Sequence, residues 1–283
     1  MNIDEAYNEY KLYLRSRERS FSTFAALAYG FRGVIGSMPE GDLNDVKPQQ
    51  VDAYVAAEVA RGTKPQSINP RMSTLRRFFS WCLQRGYIRA NPMAAWEPLR
   101  KAETPPRRDF TRAEVEAVLR QEFNPVDRVR WLFYFNTGRR AMEGARLLWE
   151  WVDLAKRKIL IPPHANKSGR YITIHINEAL YGELRDHWHN HGHKYGGLVF
   201  PPITGSGLLR KFKRALRRAQ LDPDQYCLHS ARHTTAMELY QRSGHNLELV
   251  RKVLGHASIA TTQKYLHVDD EETREGMEAL NFY

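Results

Sequence analysis

Cysteine is nearly absent, with Cys82 and Cys227 the only two among 283 residues. A pair so far apart gives neither a disulfide framework nor a zinc-ligand spacing, so both are expected to be buried apolar fillers. No run of 18 apolar residues occurs, which excludes a membrane-spanning helix. The start, Met1-Asn2-Ile3-Asp4-Glu5, is acidic where a secretory signal would be basic. These absences predict a cytoplasmic protein (nuclear in a eukaryotic host) with no membrane partner. No internal repeat or long low-complexity tract is present. Hydrophobic residues reach 42%, enough for a globular core, and the length suits two domains or one large one.

Charge is not balanced. The chain carries 43 Lys and Arg against 32 Asp and Glu, a net +11. Six of the acids crowd into Asp269–Glu278, so the body before that tail is more basic than the total implies. A positive body with an acidic end fits a polyanion partner and a tail that docks on protein.

The first hundred residues read as helices. Asp4–Arg17, Phe21–Ile35, Val51–Arg61 and Ser67–Arg85 carry apolar groups at helical spacing, and Gly36, Gly62 and Gly86 follow three of them. The aromatics of Ser67–Arg85 belong in a core, leaving Arg71, Arg76, Arg77 and Arg85 to line other faces as candidate DNA contacts. Residues 100–108 hold two prolines and four basic groups, a linker composition. Fully extended, these nine residues reach up to about 30 Å. That would cross one side of a duplex, with Arg107 and Arg108 in contact, although an ordinary spacer has the same composition.

Thr111 and Glu114 form a capping box that opens a second domain. Val129–Thr137 reads as an apolar helix. Lys158–Ile161 and Tyr171–Ile176 then read as strands of a small antiparallel sheet, joined by a hairpin turn with Lys167 at its tip. Helices follow. Leu208–Gln220 has an apolar stripe and, on its remaining faces, Arg210, Lys211, Lys213, Arg214, Arg217 and Arg218. A solvated charged face is the ordinary account of such a run, but six cations without an anion point to phosphate contact. His187, His189, His191 and His193 alternate. They would converge on a metal only if extended, so a solvent-exposed loop is expected and no metal site.

The chemistry-bearing residues lie in four short segments. Thr137-Gly138-Arg139-Arg140-Ala141-Met142-Glu143 places a carboxylate one helical turn after Arg140, where it could hold the guanidinium rigid; a plain surface ion pair is the alternative. His229 and Arg232 stand three apart at a helix start and share a face. A zinc reading of His229 with His233 lacks the glutamate a zinc peptidase needs beside the first histidine. Leu254-Gly255-His256 is followed nine residues later by Tyr265. Forked arginines clamp phosphates, histidines and a lysine move protons, and a tyrosine can be a nucleophile.

In order and spacing, Arg140, Lys167, His229, Arg232, His256 and Tyr265 resemble the catalytic set of the tyrosine recombinases, the phage integrase family. Glu143 is the supporting group. The resemblance implies a mainly α protein with a small antiparallel sheet: a helical core-DNA-binding (SAM-like) bundle over residues 1–99, the linker 100–108, and a mixed α/β integrase-type catalytic domain over 109–283. It implies site-specific recombination of double-stranded DNA through a 3′-phosphotyrosyl link made by Tyr265. Arg140 and Arg232 would bind the phosphate oxygens and Lys167 would protonate the leaving 5′-oxygen. His229 would take the tyrosine proton, and His256 would hydrogen-bond the phosphate. No cofactor and no metal is required. The working form would be a homo-tetramer on paired sites, with room for an accessory or directionality factor, and the small N-terminal arm-binding domain of many phage integrases is expected to be missing. A type IB topoisomerase and a DNA-binding protein without catalysis are the alternatives. Three departures stand out: Arg139 replaces a usually apolar residue, and Ala141-Met142 and Ser230-Ala231 replace commoner pairs.

Overall fold

Asn2 opens the first helix, α1 (Ile3–Ser16), by accepting the Asp4 N–H at 2.8 Å, and Asp4 and Glu5 lie at the positive end of its dipole. Proline stands at the first position of both α3 (Pro48–Ala60) and α4 (Pro65–Gln84), where its missing N–H costs nothing. With α2 (Phe21–Val34) these helices surround one core. Along α4, Ile68, Met72, Leu75, Phe78, Phe79 and Cys82 are fully buried, and Phe78 meets Tyr10 and Phe31 at ring distances of 5.4 and 5.7 Å. Burial pushes the Cys82 thiol up to about 12, so this cysteine is the inert filler expected.

The computed structural model describes residues 1–17, 21–35, 42–100, 107–166 and 169–255. By its contacts the chain divides into two units, Met1–Pro105 and Pro106–Tyr283.

In the second unit Thr111 caps α5 (Arg112–Arg120) through the predicted box: its hydroxyl accepts the Glu114 N–H at 3.3 Å, and Glu114 accepts the Thr111 N–H at 2.8 Å. The next helix, α6 (Pro125–Thr137), is buried on nearly every side, with Val129, Trp131, Phe133 and Tyr134 in the core. Truncating a buried phenylalanine such as Phe133 to alanine would cost about 3–5 kcal/mol. After α7 (Ala141–Ala145) come three antiparallel strands in the order β1 (Val152–Asp153), β2 (Lys158–Ile161) and β3 (Ile172–His175). The register pairs Ile161 with Ile172 and Ile159 with Ile174, so one face of the sheet carries the isoleucines into the core. Four more helices follow among the described residues: α8 (Glu178–His191), α9 (Gly205–Arg218), α10 (Leu228–Arg242) and α11 (Leu247–Leu254). Among the described residues no helix is long and apolar enough to cross a membrane.

Two expectations are overturned. The histidine tract is not an exposed loop, because α8 runs through His191. Asn177 caps this helix, and Leu180, Leu184 and His187 form its buried stripe. His187 is buried and its Nε2–H donates to the Val199 carbonyl at 2.7 Å, while His191 stacks on it at 5.0 Å. His189 and His193 are exposed, and the described residues contain no cluster of three or more metal-ligating side chains. The two-residue alternation of histidines hid a 3.6-residue apolar period. Cys227 is likewise no core filler: it is only partly buried at the N-cap of α10, 3.8 Å from the Ser230 hydroxyl.

Candidate active site

Three chain segments meet at the end of α6. Gly138 terminates that helix in the left-handed region, with φ at 58°, and a Cβ there would lie 2.7 Å from a Leu254 methyl. Both the turn and the close approach of α11 therefore require glycine. Gly255 plays the corresponding part at the end of α11, with φ at 67° and a hypothetical Cβ 2.6 Å from Ile172 of β3.

The turn at Gly138 sets two consecutive arginines on different sides. Arg140 is the N-cap of α7, and its side chain is 35% exposed. Its Nη1 donates to Glu143 Oε1 at 2.8 Å, and its backbone N–H donates to Glu143 Oε2 at 3.3 Å. The carboxylate that fixes the guanidinium is itself only 8% exposed, so this is no loose surface pair. Arg139 turns inward and has no exposed side-chain surface. Its Nε donates to Thr137 O at 3.3 Å, its Nη2 to Val253 O, and its Nη1 lies 4.0 Å from Glu143 Oε2. Burial, then the charge of Arg232, lowers the pKa of Arg139, and Glu143 opposes that shift.

Arg232 arrives from α10. It is 1% exposed, with Nη1 donating to the Gly138 carbonyl at 2.6 Å and Nη2 to that of Leu254 at 2.9 Å. These bonds fix the plane of its fork between the α6–α7 turn and the end of α11. His229 sits one turn earlier on α10, with part of the residue open to solvent. The packing around its ring, then the charges of Arg232, His233 and Arg140, lower its pKa below the usual histidine value. That field ties His229 to both arginines. A neutral imidazole beside two guanidiniums can accept a proton where an anion would be held.

Arg140, Glu143, His229 and Arg232 are thus gathered in one region. Lys167, His256 and Tyr265 lie outside the described residues. The strands flanking Lys167 do form the expected hairpin.

The candidate DNA contacts divide by partner. On α9, Lys211 bonds the buried Asp127 at 2.6 Å, Arg218 the buried Glu122 at 2.9 Å, and Lys213 the exposed Asp224 at 2.7 Å. Arg210, Arg214 and Arg217 are exposed at i, i+4 and i+7, and none is within ion-pair distance of a carboxylate among the described residues. The anions missing from the α9 sequence are supplied by other elements, which the sequence reading did not foresee. In the first unit Arg71 pairs with Glu58 at 2.9 Å, Arg76 donates to the Ala94 carbonyl at 3.0 Å, and Arg85 lies 3.9 Å from Glu9. Arg77 is exposed beside a cleft of about 310 Å³ that Tyr10, Tyr13 and Trp81 also line. Arg107 donates to Tyr226 O at 3.0 Å and Arg108 to the Gln225 side chain at 3.3 Å, so this end of the linker binds the loop before α10.

The chain has known relatives in both sequence and fold. The chain is 28% identical over 253 residues to tyrosine recombinase XerC of Xylella fastidiosa, covering 87% of this chain and 83% of that protein. It is 26% identical over 251 residues to tyrosine recombinase XerC of Pediococcus pentosaceus, covering 83% and 82%. In fold it is similar to a lambda integrase dimer bound to a COC′ core site, with a TM-score of 0.72, 18% identity and coverage of 94% and 95%. The Tn1549 transposon integrase in complex with a circular intermediate DNA gives 0.71 at 20% identity, with coverage of 97% and 99%. The N-terminal SAM-like domain of phage integrases matches residues 7–86, and the phage integrase family matches residues 110–272, more than half of the chain. The chain belongs to the phage integrase family, the tyrosine recombinases.

Proposed function

We propose that this chain recombines double-stranded DNA at specific sites, with Tyr265 as nucleophile and Arg140 and Arg232 as the phosphate clamp. The observation that carries the reading is the meeting of Arg140 and Arg232, from segments far apart in sequence, around the single turn at Gly138. Two fixed, permanently charged forks suit the non-bridging oxygens of a phosphodiester, and more so the crowded negative charge of its transition state.

In the proposed course the Tyr265 oxygen attacks the scissile phosphorus and its proton passes to His229. The bond from phosphorus to the 5′-oxygen breaks, and Lys167 protonates that oxygen, which would otherwise leave as an alkoxide. His256 hydrogen-bonds the phosphate. One ester is exchanged for another, so the 3′-phosphotyrosyl link retains the capacity for rejoining when a 5′-hydroxyl attacks it. Arg210, Arg214 and Arg217 offer a positive stripe to the DNA backbone. A homo-tetramer on paired sites, with the acidic tail docked on a neighbouring protomer, is the proposed working assembly.

The test is a covalent trap. Protein incubated with a duplex pool of randomised centre is denatured, and DNA that stays attached is sequenced. Wild type should yield an adduct at Tyr265 on a shared sequence, and Tyr265→Phe should yield none while still binding DNA. An adduct on the phenylalanine variant would overturn the assignment of the nucleophile.

A further inference from the structure

Arg139 is a fully buried cation that the proposed chemistry does not use. Burying a guanidinium is unfavourable unless its donors and charge are met. Here they go to specific places: Nε to Thr137 O, Nη2 to Val253 O, and Nη1 toward Glu143 at 4.0 Å, without a hydrogen bond of its own. Arg232 takes the next carbonyl, that of Leu254, at 2.9 Å. Two buried guanidiniums therefore close the C-terminal end of α11, where carbonyls lack intrahelical partners and the helix dipole favours cations. His256 follows in sequence two residues after Leu254.

We propose that Arg139 is a positioning residue: it ties the end of α11 to Glu143, and so fixes the spacing of Arg140 and Arg232. Without it, the Val253 carbonyl loses its donor and competes with Leu254 for Arg232. Glu143 is then drawn by Arg140 alone. Both clamp arginines gain freedom although neither is altered. A mere packing role is different in kind, because an apolar side chain of similar length would fill the same space. The inference rests on the reading of Arg140 and Arg232 as the phosphate clamp.

The experiment compares wild type, Arg139→Met and Arg139→Lys on the duplex recovered in the covalent trap. Each is assayed at saturating protein with the scissile group as a phosphate or as a methylphosphonate, which is neutral at rest and gives a clamp one negative charge fewer to hold in the transition state. On phosphate, Arg139→Met should cleave about 100-fold more slowly, the scale of a small misplacement of catalytic groups, with unchanged DNA affinity. Its deficit on methylphosphonate should be markedly smaller. Arg139→Lys, which keeps the charge and one donor, should recover part of the rate. Should the methionine variant fail to fold, the lysine variant carries the test through its own deficit on the two substrates. Normal cleavage by the folded variants, or an equal deficit on both substrates, would overturn the proposal. No adduct with wild type would fell the functional reading first, whereas active wild type with an unaffected Arg139 variant fells this inference alone.

Discussion

Arg232 donates to the carbonyl of Gly138 at 2.6 Å, across 94 residues of sequence. The bond locks a side chain from α10 to the turn that presents Arg140. Replacing Arg232 by lysine keeps a charge but removes the planar fork, and one ammonium cannot span Gly138 O, Leu254 O and a phosphate. Single-turnover cleavage by Arg232→Lys should fall by about 100- to 1,000-fold, the usual cost of removing one strong donor from a centre of developing charge. A wild-type rate would exclude the clamp role.

As the proposed proton acceptor, His229 should set the acid side of the pH profile. Its pKa is lowered in the folded protein, by packing first and then by Arg232, His233 and Arg140. A base with a depressed pKa stays neutral as the pH falls through the ordinary histidine range of about 6.5. The cleavage rate should therefore hold through that range and decline only below it. His229→Gln should remove the decline together with most of the rate. A midpoint at or above 6.5 in the wild-type profile would show that another group controls the acid limb.

Lys167 can be tested through its leaving group. A 5′-bridging sulfur departs as a stable thiolate and needs no proton. Lys167→Ala should cleave such DNA nearly normally and fail on ordinary DNA. Equal impairment on both would assign the proton to another residue.

The cations of α9 should separate into two phenotypes. Arg210→Gln, Arg214→Gln or Arg217→Gln should each weaken DNA binding and reduce the dependence of log K on log salt by about 1, with stability unchanged. Arg218→Met leaves Glu122 buried with Trp131 Nε1 at 3.1 Å as its remaining side-chain donor. It should cost about 2–3 kcal/mol in denaturant unfolding. Stability losses in the first group would mean that those arginines are structural.

Deleting residues after Val268 tests the assembly. Single-site binding should survive, while cooperative complexes on two-site DNA and strand exchange are lost. Normal recombination by the shortened chain would leave the tail without a role between protomers.

Much of this was legible because local rules and the fold agree. The capping box at Thr111 and the strands over Lys158–Ile161 and Tyr171–Ile176 each announced an element that the structure carries. Arg140, His229 and Arg232 were legible as types at a spacing. What could not be read was a charge's partner from a distant part of the sequence. Asp127 and Glu122 are far in sequence from Lys211 and Arg218, so α9 looked wholly unneutralised. Arg139 looked like a mere substitution because nothing local shows that α11 brings the Val253 carbonyl to it. The histidine tract misled because two periods overlap in it, and only the packing against Val199 and Phe200 selects one.

The division of labour on α9 also bears on how such a protein could change its affinity. Asp127 and Glu122 moor the helix through Lys211 and Arg218, whereas Arg210, Arg214 and Arg217 form no ion pair among the described residues. With the stripe on DNA as proposed, grip can drift by substitution at Arg210, Arg214 or Arg217 while the scaffold keeps its mooring. A designer retuning affinity then has three positions to vary on a helix whose attachment is set elsewhere.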